Sequence, residues 1–118
     1  MKFELCIDVD DVGQAVRFYC EGLGLTVAQQ EPDWAQLRLG EQTFWLMKVA
    51  PGPQGSVLRD YQRHWTPVHL DFHVDNIEEA IERALAAGGK LEGRQRQGLA
   101  NFSDPSGNGV DLVQRVSG

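Results

Sequence analysis

Most of the side chains that could carry chemistry lie in two short stretches where polar and apolar residues alternate. The polar positions are Glu4, Cys6 and Asp8 in the first stretch and His69, Asp71 and His73 in the second. Carboxylates and imidazoles supply oxygen and nitrogen donors for divalent metals, and carboxylates also attract cationic ligands. The alternation is the period-two pattern of a half-buried strand, so each stretch is predicted to present these groups from one sheet face.

The composition narrows the function classes. Seventeen acidic against eleven basic residues give a net charge of −6, which argues against a nucleic-acid surface. The negative charge by itself indicates no particular ligand, because solubility alone explains it. No apolar run approaches the roughly 18 residues of a membrane span. The strand pattern begins near residue 3, so we expect no signal peptide and a cytoplasmic location. Cys6 and Cys20 form no Cys-x-x-Cys pair and are predicted to be free thiols.

The chain repeats itself. Residues 3–11 align without gaps on residues 68–76, and Leu5/Leu70, Val9/Val74 and Asp10/Asp75 are identical pairs. A helix start follows each strand, because Asp11 with Gln14, and Asn76 with Glu79, have the spacing of N-cap partners. Apolar residues then recur with helical spacing, and glycines end both helices.

Strand-like segments follow each helix. They are predicted at 25–30, 34–39 and 43–49, and again at 90–95, 99–103 and 109–115. The sequence therefore predicts one α+β domain over residues 1–118, built of two βαβββ units at about 1–50 and about 68–118. Residues 51–67 connect the units, and their prolines and bulky side chains favour a folded segment over a slack linker.

Three stretches carry a resemblance to a known family. They are residues 12–25, with the Phe-Tyr and Leu-Gly pairs, residues 68–75, and residues 104–112, with an Asp-Pro-Ser-Gly turn. Together with the βαβββ–βαβββ order, they resemble the glyoxalase/bleomycin-resistance/dioxygenase superfamily, also called vicinal oxygen chelate proteins. The resemblance implies that each unit curls its mixed sheet into half a cup, with helices outside and the ligand inside. Leu5, Leu70 and Leu112 should then pack under the helices.

The resemblance also implies a metal site. Glu4, His69 and Asp111 occupy ligand positions of metal-using members, and these side chains should converge. They form a set suited to Fe, Mn, Ni or Zn. Glu4 stands where a His is usual and Asp111 where a Glu is usual, while the fourth ligand position falls near Trp45. The alternative is that His69 and Asp111 hydrogen-bond inside a metal-free cup, and we expect no cofactor.

Two functions compete on this basis. The preferred one is metal-free binding or sequestration of a small molecule, similar to bleomycin-resistance proteins. The predicted ligand-binding residues are His69, His73, Asp71, Trp45 and Phe102. The alternative is a divalent-metal-dependent lyase or dioxygenase acting on vicinal oxygens, and the missing fourth ligand argues against a true glyoxalase I. Whether the chain is an enzyme stays open, and the resemblance implies a homodimer.

Overall fold

Two copies of a strand–helix–three-strand unit make up the fold in the computed structural model, as the sequence predicts. The structure describes residues 3–54, 57–66 and 68–116; the chain ends and residues 55, 56 and 67 of the predicted connecting segment lie outside these ranges. Unit one comprises β1 (Leu5–Val9), α1 (Val12–Val16), β2 (Thr26–Glu31), β3 (Trp34–Leu39) and β4 (Gln42–Lys48). A hairpin follows, β5 (Gly52–Gln54) and β6 (Val57–Arg59). Unit two comprises β7 (Leu70–Val74), α2 (Ile77–Ala86), β8 (Lys90–Arg96), β9 (Leu99–Ser103) and β10 (Gly109–Gln114).

Both helices begin as predicted. The Asp11 side chain accepts a hydrogen bond from the backbone N–H of Gln14 at 2.9 Å, and Asn76 accepts one from Glu79 at 3.2 Å. These bonds satisfy amide donors that the first turn of a helix leaves without partners. The first helix continues beyond α1 as a π-helical segment, Arg17–Gly22, which the apolar spacing did not predict.

Each unit forms its own four-stranded mixed sheet. The strand orders are β1-β4-β3-β2 and β7-β10-β9-β8, with the first and last strand of each unit running parallel. Strands β1 and β7 are both edge strands, and no backbone ladder joins the two sheets within the described ranges. The two half-cups therefore remain separate sheets and do not close into one.

One hydrophobic core lies between the sheets and the helices, and both units contribute to it. Phe72 of β7 contacts Tyr19 and Phe44 of unit one, with ring centroids 6.4 and 5.9 Å apart. The predicted strand faces are confirmed, because the apolar residues of β1 and β7, and Val110 and Leu112 of β10, lie in this core or pack against it. Those residues are Leu5, Ile7, Val9, Leu70, Phe72, Val74, Val110 and Leu112. Among the described residues, no helix is long and apolar enough to cross a membrane.

Candidate functional site

A cluster of one imidazole and two carboxylates lies on the polar face of unit two. The Nε2 atom of His69 is 3.2 Å from Oδ1 of Asp71 and 3.5 Å from Oδ2 of Asp111. One donor atom from each of the three residues lies within 4.8 Å of the other two. Among the described residues this is the sole group of three His, Cys, Asp or Glu side chains so closely placed.

Strand register produces this cluster. Strands β7 and β10 run parallel with Asp71 directly beside Asp111, so the two carboxylates share one sheet face. Asn101, opposite Asp111 on β9, donates from Nδ2 to its Oδ1 at 2.9 Å and fixes the carboxylate's orientation. The Asp111 side chain is 19% exposed, against 55% for His69, so one acid is held at the cavity floor while the imidazole faces solvent.

A cavity of about 350 Å³ adjoins the cluster at His69 and Asp111. His69, Asp111 and Asn101 line one side of it. The other side comes from residues 59–66, which we call the strap, because they run from the β5–β6 hairpin across both units. Within the strap, Trp65 and Arg63 line the cavity, so the connecting segment is a folded cover and not a slack linker.

The strap is held at both of its ends. On unit one, Arg59 lies 3.2 Å from Asp8, and the Tyr61 hydroxyl donates to the carbonyl of Val49. On unit two, His64 Nε2 lies 2.7 Å from Oδ1 of Asn108. The strap is therefore attached to both units.

A larger cleft of about 900 Å³ adjoins the open side between β1 and β7. Glu4, Trp45, Asp71 and His73 all line it. The indole N–H of Trp45 is buried and has no hydrogen-bond partner among the described residues. A buried donor left without a partner costs free energy, so this N–H lowers the stability that the Trp45 ring contributes by packing.

The predicted site residues thus fall into three places. His69 and Asp111 meet in the cluster, where they are joined by Asp71 and not by Glu4, which lines the adjoining cleft with Trp45. Phe102 requires a correction, because it is 1% exposed and lies in the core. Its register explains this: Phe102 pairs with the core residue Val110 and so points away from the polar face.

Sequence reasoning missed the residues that come to the cluster from elsewhere. Asn101 lies on the same sheet face as Asp111, so the alternation within β9 carried a usable signal for it. Arg63 and Glu92, which pair at 2.6 Å at the cavity, come from the strap and from β8. No periodic pattern relates those two positions.

The turn that precedes β10 holds a buried acid. The Asp104 carboxylate is 4% exposed and accepts hydrogen bonds from Ser106, Asn108 and the hydroxyl of Tyr19, the last at 2.8 Å. Burial, and then the Asp104 charge, raise the pKa of Tyr19 well above its ordinary value. The closing turn of unit two is in this way bonded to the first helix of unit one.

This repeated fold and polar face match a known family. The sequence model for the glyoxalase-like domain matches residues 4–113. The chain belongs to the glyoxalase-like domain family. It is thereby a member of the glyoxalase/bleomycin-resistance/dioxygenase superfamily, as its motifs predict. None of the curated proteins matches the sequence of this glyoxalase-like domain.

Solved structures agree with the fold of the glyoxalase-like domain. A genomically encoded fosfomycin resistance protein from Listeria monocytogenes superposes with a TM-score of 0.74 at 14% identity, covering 100% of this chain and 93% of that one. A glyoxalase/bleomycin resistance protein/dioxygenase family enzyme from Burkholderia phytofirmans gives 0.73 at 17% identity, covering 96% and 97%. A glyoxalase-related enzyme from Fulvimarina pelagi gives 0.69 at 20%, covering 98% and 89%. At these identities the likeness establishes the fold alone.

Proposed function

We propose that this glyoxalase-like domain binds or sequesters a small molecule in the cavity lined by His69 and Asp111, and that it does so without a resident metal. The observation that carries the proposal is the cavity of about 350 Å³ with these two residues of the cluster on one side and the strap on the other. Concave sites of this size, with an aromatic wall and a few convergent polar groups, are the usual form of small-molecule sites.

The cluster supplies polar anchoring in this proposal. The His69 imidazole lies between two carboxylates, so a charged imidazole would offset part of their negative charge without any metal. Its exposed position leaves the ring and the outer carboxylate oxygens available to ligand hydrogen bonds. Trp65, 79% exposed, provides a flat apolar surface that a ligand ring would cover.

A second candidate function is a divalent-metal-dependent lyase or dioxygenase. It is favoured by the donor set, because one imidazole nitrogen and two carboxylate oxygens within 4.8 Å of one another fit a borderline divalent cation. His69, Asp71 and Asp111 would hold the ion, and Asn101 would orient Asp111. A bound ion would polarise substrate oxygens as a Lewis acid.

Calorimetric titration separates the two candidates. Ni(II), Mn(II) and Zn(II) are titrated into wild type, His69→Ala and His73→Ala. The last is the matched control, because His73 lies outside the cluster and lines the adjoining cleft and not the cavity. The metal-free proposal predicts equal, negligible heats in all three proteins. Saturable binding that is lost only in His69→Ala would contradict the metal-free proposal and favour the metal-dependent alternative.

A thermal-shift screen of small molecules tests the ligand itself. A true ligand raises the melting temperature of wild type by mass action, and this shift should shrink in His69→Ala and in Trp65→Ala but not in His73→Ala. A screen in which the hits stabilise all four proteins equally would place binding elsewhere and contradict the proposal.

The homodimer expected from the family also remains a proposal. It is supported by two apolar side chains beside the free sheet edges, Phe3 at 88% and Val68 at 72% exposure. Light scattering should give twice the 13.2 kDa mass of the chain at micromolar concentration. A monomer throughout that range would rule the dimer out.

A further inference from the structure

The structure points to a specificity role for Arg63. We infer that Arg63 is the anion-recognising residue of the cavity, and that the ligand is a small molecule with a carboxylate or a chemically similar oxyanion. This inference rests on the proposed small-molecule function and adds the ligand's chemical class to it.

The Arg63 guanidinium lies close to Trp65 and to Gly109. Its central carbon lies 3.7 Å from the centroid of the Trp65 ring, a cation–π contact. A Cβ added at Gly109 would stand 3.1 Å from Nη2 and 3.4 Å from Nη1. A side chain at position 109 would therefore crowd the guanidinium where it now lies.

Hydrogen bonds then set which edge of the guanidinium faces the ligand. Nε pairs with the Glu92 carboxylate at 2.6 Å, and Nη1 donates to the backbone carbonyls of His64 and Gly107. The two N–H groups of Nη2 have no partner within residues 3–54, 57–66 and 68–116. A guanidinium already held through Nε and Nη1 is pre-organised, so that its Nη2 N–H groups can donate to an oxyanion.

The remaining donors belong to the same cavity as the cluster. Gly109 and Asp111 are two positions apart on β10, so they lie on one sheet face about 7 Å apart. Arg63, which lies near Gly109, and His69, which lies beside Asp111, therefore line the same cavity. A ligand of a few atoms' length would reach both, with its anionic group at Arg63 and its other end at the cluster.

Charge predicts opposite effects for the two partners of the ion pair. Glu92 neutralises part of the Arg63 charge, and its side chain is only 18% exposed. Removing Glu92 should therefore strengthen the attraction of Arg63 for an anion, whereas removing Arg63 should weaken it. If the pair served only to hold the strap, both changes would act in the same direction.

The test uses phenylacetate and its neutral isostere phenylacetamide as probes. Each is titrated into ¹⁵N-labelled wild type, Arg63→Gln, Glu92→Gln and Arg94→Gln, and the amide shifts of Gly109 and Asp111 are followed. Arg94 pairs with Glu78 and does not line the cavity, so Arg94→Gln is the matched control. We expect Arg63→Gln to weaken phenylacetate binding about tenfold, Glu92→Gln to strengthen it and Arg94→Gln to leave it unchanged. Phenylacetamide should bind all four proteins with the same lower affinity.

Several results would overturn the inference. These are unchanged phenylacetate affinity in Arg63→Gln, a loss in Glu92→Gln equal to that in Arg63→Gln, or no preference for the anion over the amide. Arg63→Lys, which keeps the charge, should retain part of the affinity and guards against misfolding of the first variant. If neither probe nor any hit of the thermal-shift screen moves the cavity amides, the proposed function itself fails. If phenylacetamide shifts the cavity amides but Arg63→Gln does not change phenylacetate binding, this inference fails while the proposed function stands.

Discussion

The two units share a topology but present different chemistry on equivalent strands. In unit two the edge strand β7 runs parallel to its neighbour β10 and sets Asp71 beside Asp111. In unit one the corresponding strands β1 and β4 set Cys6 beside Trp45. The backbone frame places a side chain pair at this position in both units. The identity of the residues alone decides that the pair in unit two belongs to a polar cluster and that the pair in unit one places an indole there.

Aligned glycines show the same divergence. Gly24 has φ +87°, a left-handed conformation that favours glycine, and an added Cβ would meet only the end of the Arg83 side chain. Its partner in the repeat, Gly89, does not need a positive φ, but an added Cβ would stand 2.4 Å from Cε1 of Phe18. The repeat has kept the residue while the physical reason for it differs between the units.

The largest expected effect on stability comes from removing the Asp104 carboxylate, whose hydrogen bonds join unit two to unit one. Asp104 lies in the five-residue turn 104–108 of unit two, whereas the equivalent β3–β4 turn of unit one is only the pair Gly40 and Glu41. Asp104→Ala leaves buried donors without acceptors and should lower the free energy of unfolding by about 3 kcal/mol in urea denaturation. Asp75→Ala, at an aspartate 85% exposed, is the control and should change it by less than about 0.5 kcal/mol. Equal losses would mean that Asp104 does not join the units.

Tyr19→Phe removes the hydroxyl that donates to Asp104, and its effect on the free energy of unfolding depends on pH. The raised pKa of Tyr19 means that the fold favours the neutral phenol. Its contribution is complete below about pH 10, where the unfolded phenol is also neutral, and is lost as the pH rises from there towards the folded pKa. Tyr19→Phe should cost about 1.5 kcal/mol at pH 7 and less above about pH 10. Tyr61→Phe, at a partly buried hydroxyl, should show a smaller pH dependence, and a larger one would contradict this assignment.

Trp45→Phe sharpens the contrast between the two polar faces. The substitution removes apolar area but also removes the buried N–H that has no partner in the described part of the chain. The two effects oppose each other, so the free energy of unfolding should change by less than about 1 kcal/mol. Trp34→Phe, at the ring 5.7 Å away, lacks this compensation and should cost more. A larger loss from Trp45→Phe would show that its N–H is satisfied.

The smallest expected effect is on the cluster itself. In protein stripped of metal, His69→Ala leaves the Asp71 and Asp111 charges side by side and should cost about 0.5 kcal/mol, because the cluster is largely exposed. Adding Asp71→Asn should recover this loss in a double-mutant cycle. No loss, or a gain, in His69→Ala would instead favour a cluster built to hold a cation.

The sequence was sufficient for the strands and their faces, since strict alternation assigned Leu70 to the core and His69 to the polar side. It was insufficient where side chains meet across long distances. Asp71 was predicted as a ligand-binding residue and Glu4 as a metal ligand, yet it is Asp71 that joins His69 and Asp111. Arg63 had no signal, because a residue in an irregular segment carries no periodicity from which its neighbours can be read.

The closing turn has a consequence for the order of folding. Its Ser106 hydroxyl bonds to Asp10 and its Asn108 amide to the carbonyl of Asp8, across 96 and 100 positions of the chain. Such remote contacts carry a high loop-closure entropy, and they require that the chain has left the ribosome through residue 108. During synthesis, the strands of the first half can assemble with their own neighbours long before the turn emerges. Residues 104–108 then act as a clasp, and a chain that ended before residue 104 would lack the hydrogen bond to Tyr19 of the first helix.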